Sequence, residues 1–122
     1  IKIVIFNSNG YLAISTMQEH LFGGGYFGSN PMSGVSAPNF SKIAQAFGIN
    51  VFKLKPKSLL NKVSLEDDIS DFLRQSHASL LEIFLPDHQQ MMPRVKSFKK
   101  EDGTITSGSL DYMWPLIKKP SN

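Results

Sequence analysis

The sequence predicts an open α/β fold, a doubly wound parallel sheet with helices on both faces. Three observations predict it. Short apolar runs at 1–6, 49–54 and 80–85 have the β-branched, nearly continuous hydrophobic character of strands in a parallel sheet. Segments with three- and four-residue apolar spacing separate them, and alternation of strands with helices marks this class. The length of 122 residues agrees, being one modest domain or part of one, since a single core usually serves on the order of 100–150 residues.

Taken in order, Ile1-Lys2-Ile3-Val4-Ile5-Phe6 is expected to be a strand buried on both faces, and Asn7 to Gly10 stop it. From Tyr11 to Phe22 the apolar residues Tyr11, Ile14, Met17 and Leu21 recur at helical steps, which predicts a helix. The stretch Gly23 to Pro38 contains Gly23-Gly24-Gly25, Gly28, Pro31, Gly34 and Pro38 and predicts a long mobile loop, because neither helix nor strand tolerates that composition. Asn39 then caps a helix with Phe40, Ile43, Ala44 and Phe47 on one face, ended by Gly48. Ile49 to Leu54 is the second strand. Ser64, followed by Glu66, Asp67 and Asp68, predicts a helix start with acidic residues in its first turn; Leu65, Ile69, Phe72 and Leu73 give the buried stripe. Leu80 to Leu85, stopped by Pro86, is the third strand.

Beyond Pro86 the regularity fades. Gln89 to Lys100 is polar and basic, and Glu101-Asp102-Gly103-Thr104 predicts a turn. Leu110, Tyr112, Met113, Trp114, Leu116 and Ile117 form an apolar patch that is expected to dock, since burying each large side chain is worth roughly 1.5–3 kcal/mol. The expected organisation is therefore 1–88 as one portion of a domain and 89–122 as a tail docking on that domain or on a partner subunit.

Composition removes several function classes. Without cysteine there is no disulfide, thiolate nucleophile or cysteine-held zinc. The net charge of +3 comes from scattered lysines, and Lys53-Leu54-Lys55-Pro56-Lys57 and Lys99-Lys100 lack the interleaved aromatics and dense arginine of a nucleic-acid surface. No apolar run approaches the roughly 20 residues of a membrane span, and the first six are too short for a signal-peptide core, so a soluble, cytoplasmic protein is expected. The chain opens with isoleucine already inside a strand-like run, which points to a piece of something longer. The Gly23-Gly24-Gly25-Tyr26-Phe27-Gly28 run lacks the Lys-Ser/Thr of a phosphate-binding P-loop. His20, His77 and His88 have no metal-ligand spacing, and Glu66-Asp67-Asp68 is better explained by helix-dipole complementarity than by acid catalysis.

The string Ile5-Phe6-Asn7-Ser8-Asn9-Gly10-Tyr11-Leu12-Ala13-Ile14 resembles the end of the cofactor motif of thiamine-diphosphate-dependent enzymes of the acetolactate synthase type. Ser33 to Phe40 leading into Lys42-Ile43-Ala44-Gln45-Ala46-Phe47-Gly48 is similar to that family's next helix. Leu80-Leu81-Glu82-Ile83-Phe84 is similar to the following strand, and Asp102-Gly103 with Leu110 to Leu116 resembles the end of such chains. The resemblance implies a partial flavodoxin-like fold, the carboxy-terminal portion of a thiamine-diphosphate-binding domain. A magnesium-bound diphosphate would lie at the carboxyl end of the first strand, where open α/β sheets bind ligands, facing the N–H groups of the next helix.

Carried over by position, the resemblance implies metal ligands at Ser8, where asparagine is usual, and at the Gly10 carbonyl. It implies cofactor contacts at Asn9, Gly10, Tyr11, Leu12 and Ala13. Ile14 and Met17 match substrate-pocket positions, although core packing explains their spacing equally well. The Gly-Asp-Gly that opens the motif and the pyrimidine-binding domain with its activating glutamate do not occur here. No catalytic residue is therefore expected in this piece, which alone should be inactive. For the whole enzyme the resemblance implies decarboxylation of a 2-oxo acid such as pyruvate, transfer of the carbanion to a second carbonyl compound, and a homo-dimer or homo-tetramer; FAD is required by some relatives. The alternative is a non-catalytic binding or assembly module with a decayed site, which Ser8 would suit.

Overall fold

Apolar and β-branched side chains fill Lys2–Asn7 (β1), Asn50–Leu54 (β2) and Ser79–Phe84 (β3), and in the computed structural model these strands form one parallel sheet in the order β1-β3-β2. The structure describes residues 1–86, 89–111 and 113–115. Among the described residues three α-helices connect the strands: α1 (Leu12–Phe22), α2 (Phe40–Ala46) and α3 (Lys62–Arg74).

The path from β1 to β2 passes over the position that β3 occupies, and the path from β2 to β3 steps back. Right-handed crossovers running in opposite directions put their helices on opposite faces. The side chains agree, because successive residues of a strand point to opposite faces. Leu81 of β3 packs with Leu54 of β2 and Phe72 of α3, whereas its neighbour Glu82 is bonded by Ser41 of α2. The doubly wound sheet expected from the sequence is the one observed.

The α3 face holds the core. Leu54, Phe72 and Leu81 are 1%, 2% and 3% exposed, and Phe52, Leu59, Leu65, Ile69 and Ile83 pack around them. Phe52 meets Phe72 edge to face at 5.8 Å between centroids, an arrangement favoured by the ring quadrupoles. Lys2 Nζ sits 5.5 Å from the centre of the Phe72 ring and donates to the Gln75 carbonyl at 2.6 Å, fastening the start of β1 to the end of α3.

Several expectations need correction. The first strand is not buried on both faces: Val4 and Phe6 are 47% and 66% exposed, because they share the α3 face and α3 lies over β2 and β3. The third helix starts earlier than expected. Asn61 caps it by accepting from the Ser64 N–H, so Glu66, Asp67 and Asp68 fall past the first turn, and Leu73 is exposed rather than in the stripe. Asn39 does cap α2, accepting from the Lys42 N–H, and Gly48 follows in the left-handed conformation (φ +69°). Of that helix's apolar positions, however, Ala44 is buried while Ile43 and Phe47 are exposed. The glycine-rich stretch is loop over most of its length, as expected, and holds one 3-10 turn, Pro31–Ser33, in which the Asn30 and Ser33 side chains cap each other's backbone N–H.

Among the described residues the tail holds two small antiparallel ladders. Arg94–Val95 (β4) pairs with Met113–Trp114 (β7), and Ser97–Lys99 (β5) with Ile105–Ser107 (β6). The expected turn joins β5 and β6, the Lys100 N–H donating to Thr104 O at 2.8 Å. Leu110 is exposed and Met113 and Trp114 are half-buried; Tyr112, Leu116 and Ile117 of the expected patch, like Asp87 and His88, lie outside the described residues.

Candidate functional site

At the carboxyl end of β1 the chain turns sharply through Asn7 to Tyr11 into α1. The turn is held from two sides. Asn7 Nδ2 donates to Glu82 Oε1 at 2.7 Å, and Asn7 Oδ1 accepts from the Asn9 N–H at 2.9 Å, which stabilises Asn9 at φ +54°, outside the usual range of L-residues. On the other side the Tyr11 N–H donates to Ser29 O at 2.8 Å. This approach explains Gly10: a Cβ there would lie 2.6 Å from Ser29 O and 3.1 Å from the Asn30 Cα.

Ser29 is fully buried, and its Oγ donates to Gln18 Oε1 at 2.6 Å while its N–H donates to Ser33 Oγ at 2.9 Å. The 3-10 turn thus carries the loop back onto α1 and presses it against the turn. None of Gln18, Ser29, Ser41 and Glu82 stands out from sequence spacing as part of a site. The one signal was a glutamate set in the apolar run Leu80 to Leu85.

Ser8 Oγ donates to the Gly10 carbonyl at 2.9 Å. Two oxygens at that separation match adjacent corners of an octahedron with metal–oxygen bonds of about 2.0–2.1 Å, the magnesium preference. Tyr11 is the residue before α1, and no side chain caps this end or puts an acidic group in its first turn. The N–H groups of Leu12, Ala13 and Ile14 are left without helical partners by helix geometry, a positive pole suited to an anion.

An open cleft of about 970 Å³ runs along this end, lined by Ser8, Gly10, Tyr11, Thr16, Glu19 and Arg94 among others. A smaller one of about 220 Å³ lies on the other side of the turn between Ile5, Asn7, Tyr11, Pro38 and Phe40. Ser8, Asn9, Gly10 and Tyr11 border both clefts and Leu12 borders the larger. Ala13, Ile14 and Met17 border neither; Ile14 and Met17 are 42% and 44% exposed on the side of α1 away from the larger cleft. Among the described residues no group of three or more histidine, aspartate and glutamate side chains is placed to hold a metal ion, and no helix is long and apolar enough to cross a membrane.

Fold and site together define an open α/β domain, with the Ser8 hydroxyl, the Gly10 carbonyl and a helix amino end meeting at the carboxyl edge of its parallel sheet. The family model described as the thiamine pyrophosphate enzyme C-terminal TPP binding domain matches residues 1–83, and the chain belongs to that family. It is also similar to the acetolactate synthase large subunits of Porphyra purpurea and Porphyra umbilicalis, each 30% identical over 95 residues, which is 78% of this chain. The matched stretch is 15% of the length of those relatives, so the chain spans a small part of them.

Proposed function

We propose that the whole protein is a thiamine-diphosphate- and magnesium-dependent enzyme that decarboxylates a 2-oxo acid, pyruvate being the simplest, and transfers the carbanion to an acceptor carbonyl. The observation that carries this reading is the pair of oxygens on Ser8 and Gly10, 2.9 Å apart beside the uncapped amino end of α1. When bound, thiamine diphosphate supplies the electron sink for the decarboxylation.

The chain's own residues have a binding and orienting part. Ser8 Oγ and the Gly10 carbonyl would hold the magnesium ion. Asn9, Gly10, Tyr11, Leu12 and Ala13 form the diphosphate cradle, in which Leu12 and Ala13 offer N–H groups whose direction is set by helix geometry and Asn9, Gly10 and Tyr11 shape the turn beside them. Ile14 and Met17, exposed on the outer side of α1, face substrate once the rest of the enzyme covers them. Residues 1–88 are the closing portion of the cofactor domain, and 89–122 a tail that docks on it or on a neighbouring subunit. An aspartate of an upstream Gly-Asp-Gly would add to these ligands, and the pyrimidine-binding domain would complete the site in a cytoplasmic homo-dimer or homo-tetramer. FAD is a further component where the enzyme follows its flavin-dependent relatives.

Calorimetry of the full-length protein tests the reading. Thiamine diphosphate should bind only with magnesium present; no binding at millimolar magnesium ends the proposal and leaves the non-catalytic module. Ser8→Asn restores the longer amide ligand and is expected to lower the magnesium concentration needed for half-saturation. Residues 1–122 alone should not turn over pyruvate.

A further inference from the structure

Glu82 is a charged side chain where a parallel sheet ordinarily places an apolar one. It lies on the central strand and is 3% exposed. Burying a carboxylate is costly unless its oxygens find donors. Lys53 stands opposite it on β2 in the strand register, yet is exposed and forms no ion pair with it. Compensation comes instead from two neutral donors, one for each oxygen: Asn7 Nδ2 at 2.7 Å to Oε1 and Ser41 Oγ at 2.6 Å to Oε2. The carboxylate therefore ties the end of β1 to the start of α2 across β3.

The orientation of Asn7 follows from this. With its amide nitrogen facing a carboxylate, its oxygen must face the other way, where the Asn9 N–H meets it at 2.9 Å. A flipped amide would set oxygen against oxygen on one side and N–H against N–H on the other. Asn9 is thereby kept at φ +54°, and the turn that brings Ser8 Oγ within 2.9 Å of the Gly10 carbonyl is fixed. We propose that Glu82 is a positioning residue for the cation-binding turn, acting through Asn7 and Asn9 without touching metal or cofactor. The proposal rests on the reading of that turn as the magnesium and diphosphate site.

Hydrogen bonding, rather than charge, is what the relay needs, and this separates it from a general structural role. In Glu82→Gln the amide oxygen still accepts from Asn7, and the new NH₂ donates to Ser41 Oγ, whose hydroxyl can turn to accept. Glu82→Leu keeps the volume and removes both acceptors. Asn7→Asp sets two carboxylates face to face. Adding Glu82→Gln returns a donor to the pair, while the carboxylate introduced at position 7 still accepts from the Asn9 N–H.

Two measurements on the full-length protein test this: hydrogen exchange of the Asn9 amide without cofactor, and the magnesium concentration for half-maximal thiamine diphosphate binding. Groups that orient a metal ligand typically carry about 10–100-fold in affinity. Glu82→Leu should thus raise the magnesium requirement about tenfold or more and speed Asn9 exchange, with Glu82→Gln within about threefold of the parent on the same scale. Asn7→Asp should behave as Glu82→Leu does, and the double variant should recover most of the loss. Parent-like behaviour of Glu82→Leu overturns the proposal. So does a double variant no better than Asn7→Asp, a comparison that remains available if Glu82→Leu does not fold. Should the parent bind no cofactor while Asn9 exchange follows the stated pattern, the relay stands as the holder of the turn and the cofactor reading falls.

Discussion

The turn at 7–11 and the tail at 94–115 are both irregular polar segments, but they are held in opposite ways. Bonds from the turn reach far along the chain: Asn7 to Glu82, the Leu85 N–H to the Asn7 carbonyl, and the Tyr11 N–H to Ser29. Those of the tail are mostly local, with ladders of two and three residue pairs and a turn closed on itself between Lys100 and Thr104. Among the described residues, His20 Nε2 bonds the Ser97 carbonyl at 3.1 Å and joins β5 to α1. Anchoring a loop to distant rigid elements fixes its groups for a ligand, whereas a locally closed hairpin is ordered without being aimed at anything. Substitutions in the two regions should therefore differ in size and in what they disturb.

The largest effect is expected at Gly10. Its Cβ would strike backbone on the opposing loop, 2.6 Å from Ser29 O, and backbone cannot swing aside as a side-chain tip does. Gly10→Ala should destabilise the full-length protein by about 2–3 kcal/mol in urea unfolding and abolish magnesium-dependent thiamine diphosphate binding. Retained binding would mean that the loop of Ser29 and Asn30 is not fastened to the turn. Next comes the fastening itself. Ser29→Ala removes a buried donor from Gln18 Oε1, a loss worth about 1–2 kcal/mol, and cofactor affinity should fall with stability because the loop presses on Gly10.

Trp114 sharpens the contrast from the tail. Arg94 and Lys96 lie over its ring at 5.6 and 4.8 Å, contacts worth about 0.5–1 kcal/mol each where solvent reaches them. Trp114→Ala should cost about 1 kcal/mol in the same unfolding measurement and release the β4–β7 ladder to faster exchange. Asn9 exchange should stay at its parent rate. A matching change at Asn9 would show that turn and tail are coupled, against the local closure seen in the hydrogen bonds.

What was legible in the sequence divides along the same line. The three strands and three helices followed from apolar spacing, and the sheet's class from their alternation, because those signals are local and repeat. Asn39 and Gly48 gave one helix both of its ends. Ser64 misled because Asn61, three residues earlier, is also a good cap and takes the Ser64 N–H itself. The exposure of Val4 and Phe6 was hidden because the composition of a strand does not state how far a helix will cover it. Ser8 and Gly10 stood out through their resemblance to a known motif. Their supports did not: Glu82 lies 75 residues from Asn7 in sequence, and that pairing is created by the register of β1 on β3. The network of Gln18, Ser29 and Ser33 was similarly invisible, since glycine and proline content marks irregular backbone without saying what its serines will bond.

The smallest expected effect tests local closure in the tail on its own terms. Asp102 Oδ1 accepts from Thr104 Oγ1 at 2.6 Å and from the Thr104 N–H at 2.9 Å. These bonds, the hydroxyl's first, favour the charged carboxylate and hold its pKa below the usual carboxylate range. A lowered folded pKa contributes stability that is present above the unfolded value, about 3.9, and is lost as pH falls through the folded one. Thr104→Val deletes the hydroxyl and keeps the N–H, so the Asp102 pKa should move part of the way back up, as followed by carboxyl-carbon NMR. The carboxylate is fully exposed, water competes for it, and no resolvable change in Tm is expected at pH 7. A drop in thiamine diphosphate affinity from this substitution would contradict the local closure of the hairpin, because the hydrogen bond that joins the hairpin to α1, from His20 Nε2 to the Ser97 carbonyl, lies at the end of the β5–β6 ladder far from Asp102 and Thr104.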